Sequence, residues 1–491
     1  MSLHRVVAVA RLELRALLAS PLFWALVLFA AFATLTVDPV SMIPTGDSAV
    51  GGLRPFSNSA HAIARIFSLT GLLFYPLLVS ILAGSAILRD DEARVGDLLH
   101  STRLTPGEYV AGKFGGVLLA AGVVLVLHTA IAVGWSEAGA YLGSPAARGP
   151  FRLASYVVPA LAFLAPGAIF CAGLALAIAE RTRSAMAVYV APVLLVVSGL
   201  AGLAPRGSSR LDSVLGLLYS AFDLWGTRWL GETVFRSDRG IAFYNDTPLA
   251  FDAAFFWNRL FILAVPAAAV LLAARHRGAA LRGESGGRKA QPPFVPAPAT
   301  ASFRPLGELR MTTRRPGLAA SVWEIARAEL VHLHRQPALA LLAVLALLAV
   351  VEAASSSRGV FDSEVLLTAG GLATGLLELL TALGALLVLF VVVESLDRPR
   401  HLRVTDLLHA TPVPPAAYLL GTQLAVYTVI AEVLLGCTAV GLGLLALRND
   451  GPVEAWPFLL VWGLILGPTF VVWANAVAAL QGLLRNRYLT Y

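Results

Sequence analysis

Ten apolar runs, each near the length that a bilayer core demands of a helix, decide what this chain can become. They fall at 22–37, 66–88, 110–134, 153–179, 186–204 and 255–274, then at 338–353, 371–393, 418–447 and 458–480. A hydrocarbon core of roughly 30 Å offers no water to an unpaired backbone group, so each run must satisfy its own N–H and C=O groups as an α-helix. The composition agrees. Of 491 residues, 57% are hydrophobic and 14% charged, too apolar for a domain in water and too uniformly so for a single anchor. The expected fold is an all-α polytopic helix bundle of about ten spans. The first run is expected to be a retained span, because a charged segment precedes it and no small-residue cleavage site follows.

Charge sets the expected orientation. Alternating the spans from a cytoplasmic N-terminus places 25 of the 37 Lys and Arg on the cytoplasmic side, as the positive-inside rule requires of a multi-pass protein of the cell's inner (plasma) membrane. Nine basic residues crowd 275–315 against Glu284 and Glu308. A basic stretch beside a membrane faces anionic lipid, so the net charge of +7 does not argue for nucleic acid. The two cysteines, Cys171 and Cys437, lie inside expected spans and offer neither a disulfide framework nor a CxxC metal pattern.

A twenty-residue stretch occurs twice. Residues 94–113 read RVGDLLHSTRLTPGEYVAGK and residues 403–422 read RVTDLLHATPVPPAAYLLGT, at a constant offset of 309 with ten identities. Each copy joins two apolar runs, so the repeated unit is expected to be a polar helix at the membrane surface. Arg94, Asp97 and His100 recur every third position around Leu98 and Leu99, and the second copy repeats this with Arg403, Asp406, Leu407, Leu408 and His409. On a helix that spacing separates a polar from an apolar face. The leucines are then candidate knobs for a cleft in a soluble partner, with the Asp and His residues at its rim. Pro106 and Pro415 end the segment and turn the chain back into the bilayer.

The order of features repeats as well. Residues 325–330, ending at Pro337, mirror residues 9–14, ending at Pro21, at an offset of 316. Spaced charges among leucines (Arg11, Glu13, Arg15) suit an elbow helix lying in the interface. The expected domains are a first transmembrane half at 1–274, a disordered basic cytoplasmic linker at 275–318 carrying QPPFVPAPA, and a second half at 319–491. The halves hold six spans and a shortened four. The second ends at Tyr491, which aligns with Tyr189, so the chain is expected to be part of a longer protein. The stretch 205–252 holds Trp225, Trp229, Phe235 and Tyr244 and is expected to be a folded outer loop.

Chemistry-bearing motifs are few. Gly107 to Phe114 reads GEYVAGKF and fits most of a phosphate-cradling loop, but Phe114 stands where a Mg²⁺-ligating hydroxyl belongs, and no strand precedes it. Lys113 is expected instead to snorkel to the interface. No HExxH, G-x-S-x-G or paired CxxC occurs. The chain is thus expected to be no enzyme, to bind no cofactor or metal, and to leave any ATP and Mg²⁺ chemistry to a partner. Polar groups within the runs include His128, Glu378, Glu432 and Asn475. Such groups are costly in lipid, and their commoner role is a helix–helix hydrogen bond. Glu378 and Glu432 are the candidates for a translocation path. His332, His334 and Arg335 are expected to meet lipid headgroups.

With these residues in place the chain resembles the membrane subunit of an ABC transporter of the ABC-2 permease type. The match rests on the elbow helices, on Arg89-Asp-Asp-Glu through Gly96-Asp-Leu-Leu, on Thr102, Pro106, Tyr109 and Gly112-Lys113-Phe114-Gly115, and on a second set from Asp406 to Gly421. A narrower resemblance is to double-length permeases, some of which continue into a zinc aminopeptidase domain. It rests on Asn58-Ser59, Phe222-Asp223 with Gly226, and Asn245 with Trp257-Asn258-Arg259-Leu260. No peptidase signature is present, so that activity is not carried over. The resemblance implies a permease component, mostly of exporters, moving an unknown substrate. Its two coupling helices would engage separate ABC ATPase subunits. The competing expectation is a membrane scaffold for a C-terminal enzyme domain.

Overall fold

The computed structural model describes residues 2–36, 55–93, 95, 101–138, 148–183, 185–201, 216–217, 219–281, 317–355, 366–401, 404–405, 410, 413–448 and 452–484. Among the described residues the regular elements are all helices, with no strand. Two compact units emerge, Met1–Ser285 and Gly286–Tyr491.

Seven described helices are long and apolar enough to cross a membrane, and nine if each of two bent helix pairs counts as one span. This makes the chain a multi-pass membrane protein. The run expected at 186–204 is helical over the described residues Ala185–Ala201.

In the first unit, α1 (Leu3–Leu18) turns by 68° into α2 (Pro21–Thr36). Pro21 opens α2, where a missing N–H costs nothing. Then come α3 (Ala60–Glu92), α4 (Pro106–Ala138), α5 (Ala154–Thr182), α6 (Ala185–Ala201) and, after short turns, α7 (Ala253–Leu281). The sequence alone ends this last helix at 274. It runs on because Arg277 is held inside the unit, as shown below, and so stays helical instead of joining the linker. Helix α3 packs on α5 and α6, α1 lies along α4, and α7 lies along α5. With 33 residues, α3 is about 50 Å long, enough to carry polar ends beyond both faces of a hydrocarbon core.

The second unit holds α8 (Leu318–His334), bent by 73° from α9 (Pro337–Ser355), then the short α10 (Ala369–Gly375), α11 (Leu377–His401), α12 (Pro415–Arg448) and α13 (Trp456–Leu484). Helix α8 lies along α12, α9 packs on α12, and α11 packs on α13. Both α5 and α13 contain a π-helical section, at Ala160–Leu164 and Leu459–Leu466.

Glycine permits a close contact between the elbow helix and a span in each unit. A Cβ on Gly112 would lie 2.6 Å from Val9 Cβ and 3.0 Å from the Val6 carbonyl; one on Gly421 would lie 2.8 Å from Ile325 Cβ and 2.9 Å from the Val322 carbonyl. These pairs correspond at the offsets of 309 and 316 read from the sequence. In both units, therefore, backbone meets side chain without an intervening methyl, and the elbow helix is pressed onto the span that follows the repeat.

Candidate functional site

The ten residues singled out in the repeat, Arg94, Asp97, Leu98, Leu99, His100, Arg403, Asp406, Leu407, Leu408 and His409, lie outside the described residues. What the structure does describe is the frame beside each copy. The Val95 N–H donates to the Asp90 carbonyl at 3.2 Å, and the Val404 N–H donates to the Pro399 carbonyl at 2.9 Å. These bonds match at the offset of 309, so the chain leaves α3 and α11 in the same way. On the far side of the first copy, Thr105 and Glu108 form a capping box: the Glu108 N–H donates to Thr105 Oγ1 at 3.3 Å and the Thr105 N–H to Glu108 Oε2 at 3.0 Å. The same carboxylate accepts from the Ser2 N–H, and Arg5 donates to the Arg103 carbonyl at 2.6 Å. The start of α1 is thereby tied to the start of α4.

Around this frame in the first unit runs a chain of ion pairs. Glu13 of the elbow helix, only 3% exposed, accepts from Arg89 at the end of α3 and from Lys113 Nζ at 2.6 Å. Lys113 reaches on to Asp90 at 2.7 Å, and the Tyr109 hydroxyl donates to that same carboxylate at 2.7 Å. The Arg277 guanidinium of α7 lies 4.0 Å from the centre of the Tyr109 ring and donates to Glu180 of α5 at 2.7 Å. Arg183, left-handed at φ 52°, bridges Glu180 and Asp91. Five helix ends are thus joined through charges that a low-dielectric site leaves little screened. Two sequence expectations are corrected here. Lys113 does not snorkel: the buried Glu13 carboxylate and the partly buried Asp90 hold its ammonium inside. Glu13 does not line the wet face of an interfacial helix but points into the bundle.

The second unit keeps part of this arrangement. Glu329, the counterpart of Glu13, is buried, pairs with Arg398 and accepts from Ser395 Oγ at 2.6 Å. Arg398 is the counterpart of Arg89, so the elbow-glutamate to arginine pair occurs in both units. Thr422 and Pro399 stand where the first unit has Lys113 and Asp90, and the rest of the network is absent at those positions.

The candidate path residues behave differently. Glu378 is exposed in the first turn of α11, where a negative charge suits a helix N-terminus. Glu432, half-exposed near the middle of α12, takes a hydrogen bond from His334 at 2.9 Å. His334, itself half-exposed, thus links the elbow helix α8 to α12. His128 is fully buried and joins three helices, with Nδ1 2.9 Å from the Tyr75 hydroxyl and Nε2 2.9 Å from Thr34 Oγ1. Asn475 donates to the Tyr427 hydroxyl at 2.8 Å. These are the helix–helix hydrogen bonds expected of polar groups inside spans.

At the other end of α3, the residues of the narrower resemblance interlock. Asn58 donates to Glu137 and exchanges two hydrogen bonds with Gly149, Ser59 caps α3, and Asn245 accepts from the Phe56 N–H at 2.7 Å. Asn258 donates to the Ser220 and Ala221 carbonyls. Arg259 donates to the carbonyls of Leu224 at 2.6 Å and Asp223 at 3.0 Å. Gly226 has φ 64°, a conformation that favours glycine, and sits against Phe163. Trp225 is buried across Gly71 and Gly167, while Trp229 stacks on Phe251. The described residues 219–252 of that stretch are folded, as its aromatic content predicts. Burial raises the Asp223 carboxyl above its usual range, against the Trp229 N–H and the Arg259 guanidinium, which favour the ionised form.

Among the described residues, no three His, Cys, Asp or Glu side chains gather as a metal centre requires. Gly107 to Phe114 forms the first turns of α4 and not a loop. The described residues define an all-helical, multi-pass membrane protein in which ion pairs join helix ends next to the repeat. Comparison with protein-family models, with curated proteins and with solved structures finds no match.

Proposed function

We propose that this chain is the membrane-spanning permease component of an ATP-driven transporter, an internally duplicated permease of the ABC-2 type that exports its substrate. In this reading 94–100 and 403–409 are coupling helices, each received by a separate ATPase subunit that binds ATP and Mg²⁺. Closure of the ATPase pair displaces both helices and, with them, the bundles to which they are fixed. The N-terminus is cytoplasmic, and the ten apolar runs form the spans.

One observation carries the reading. In both units a buried elbow glutamate grips an arginine at the helix end just before the repeat, and the chain leaves that helix through the same backbone hydrogen bond. A segment that transmits displacement must be stiffly joined to what it moves, and a surface loop that merely connects two spans needs no such clamp. The corresponding glycine contacts, and the π-helical section in the fourth long span of each unit, support duplication of the whole unit.

The test is co-purification. Leu98→Asp with Leu407→Asp puts charge on both candidate knobs, and the expected outcome is loss of the ATPase subunit from the purified complex with membrane insertion intact. Undiminished co-purification would defeat the coupling assignment. Reconstitution separates transport from scaffolding: substrate-stimulated ATP hydrolysis is expected of a permease, and a scaffold gives none.

A further inference from the structure

Glu432 is the single acidic residue in the 34 residues of α12, and its partner His334 is the last residue of the elbow helix α8. Hydrogen-bond chemistry fixes what passes between them. His334 Nδ1 lies 2.8 Å from the Leu330 carbonyl oxygen, which can only accept, so Nδ1 carries a hydrogen. In a neutral ring Nε2 is then a bare lone pair. Yet Nε2 lies 2.9 Å from Glu432 Oε2, and an ionised carboxylate has only lone pairs to offer. The contact therefore needs one proton more than a neutral histidine and an ionised glutamate carry together. Whether that proton sits on Nε2 or on Oε2, the pair is net neutral.

The neighbouring ionisable groups are engaged elsewhere. On α8 itself, His332 lies in the field of Arg398, Glu329 and Arg335, and Glu329 is paired with Arg398. On α12, the Tyr427 hydroxyl accepts from Asn475, and Cys437 is buried. The one charged residue of α9 is Glu352, at its far end. Around Glu432 the chain reads AVYTVIAEVLLG. Loss of the proton would leave a net negative charge in this apolar stretch of a span, and lipid penalises such a charge heavily. In the first unit the corresponding positions are Leu18 and Val123, which cannot titrate.

We infer that His334 and Glu432 form a proton-binding site that fastens the end of the elbow helix α8 to α12. When the proton leaves, the Nε2 lone pair faces a carboxylate, the hydrogen bond is lost and the end of α8 is released. The earlier part of the seat, where Ile325 meets Gly421 and Glu329 meets Arg398, does not depend on this proton. The second elbow thus responds to pH at one end only, and the first elbow has no such site at the matching place. The inference needs only the contacts within the second unit and does not rest on the transport reading.

The experiment is a pH titration of the full chain, labelled with ¹⁵N-histidine, in lipid vesicles. The ring-nitrogen resonances of His334 are identified by their loss in His334→Gln. They are expected to titrate with a midpoint above the ordinary imidazole value of about 6.5. Glu432→Gln should lower that midpoint by about one pH unit, a tenfold weaker hold on the proton. A second measurement reads the fastening itself. In Glu432→Gln the side-chain amide N–H donates to Nε2 with no added proton. Between pH 6 and pH 9, therefore, the wild-type thermal midpoint in detergent should fall relative to that of Glu432→Gln. A His334 midpoint at or below the ordinary value overturns the inference, as does one that Glu432→Gln leaves in place. So does a wild-type thermal midpoint that tracks the variant across the whole pH range.

Discussion

Glu13 shows how much one carboxylate can organise. It is enclosed, and its two oxygens serve cations from two other helices. Removing a charge from such a group leaves its partner buried without compensation, which costs more than the pair ever contributed. Glu13→Gln is therefore expected to lower stability by about 1–3 kcal/mol, read as a fall in the thermal midpoint in detergent. The double variant Glu13→Gln with Lys113→Met should recover part of the loss, because a well-packed apolar replacement no longer needs a counter-ion. An unchanged midpoint in the single variant would mean that water reaches the site. The sequence hinted at this residue: Glu13 and Glu329 match across the halves, as do Arg89 and Arg398. It did not reveal which way Glu13 points, because the spacing of charges along one helix also fits a wet face.

At the scale of the element, the elbow helices are the parts most legible beforehand and least complete. Their existence, their boundary at a proline and their bend follow from local pattern. Their seat on the span after the repeat depends on Gly112 and Gly421, whose meaning appears only when a second helix arrives. That seat is testable by cross-linking. An ideal Cβ on Gly115 would lie 3.6 Å from Ala10 Cβ, within the range of about 3.5–4.5 Å that a disulfide needs. Ala10→Cys with Gly115→Cys should form a bond on mild oxidation, detected by the mobility of a chain cleaved between the two positions. The native Cys171 and Cys437 are buried and should not compete. Failure to cross-link would place α1 away from α4. The π-helical sections were not legible at all, since one extra residue in a helical turn leaves an apolar run looking the same.

For the whole molecule, each unit owns its ion pairs and its elbow, and the contacts described above close within a unit. The observed units are Met1–Ser285 and Gly286–Tyr491, and α7 runs to Leu281 within the first. Each unit is expected to insert and fold by itself. Residues 1–285 expressed alone should give a helical protein with a cooperative thermal transition in detergent, and a broad, non-cooperative melt would show that the unit needs the rest of the chain.

Run length and composition determined that this chain is a set of membrane helices, because in hydrocarbon every backbone group must be paired within its own segment. The repeat at an offset of 309 likewise marked where the two halves correspond. Only the tertiary structure decided that Lys113 lies buried between Glu13 and Asp90 and that Arg277 closes one corner over Tyr109. Those outcomes depend on groups far apart in sequence meeting at helix ends, where burial and charge pairing are settled by packing and not by any local pattern.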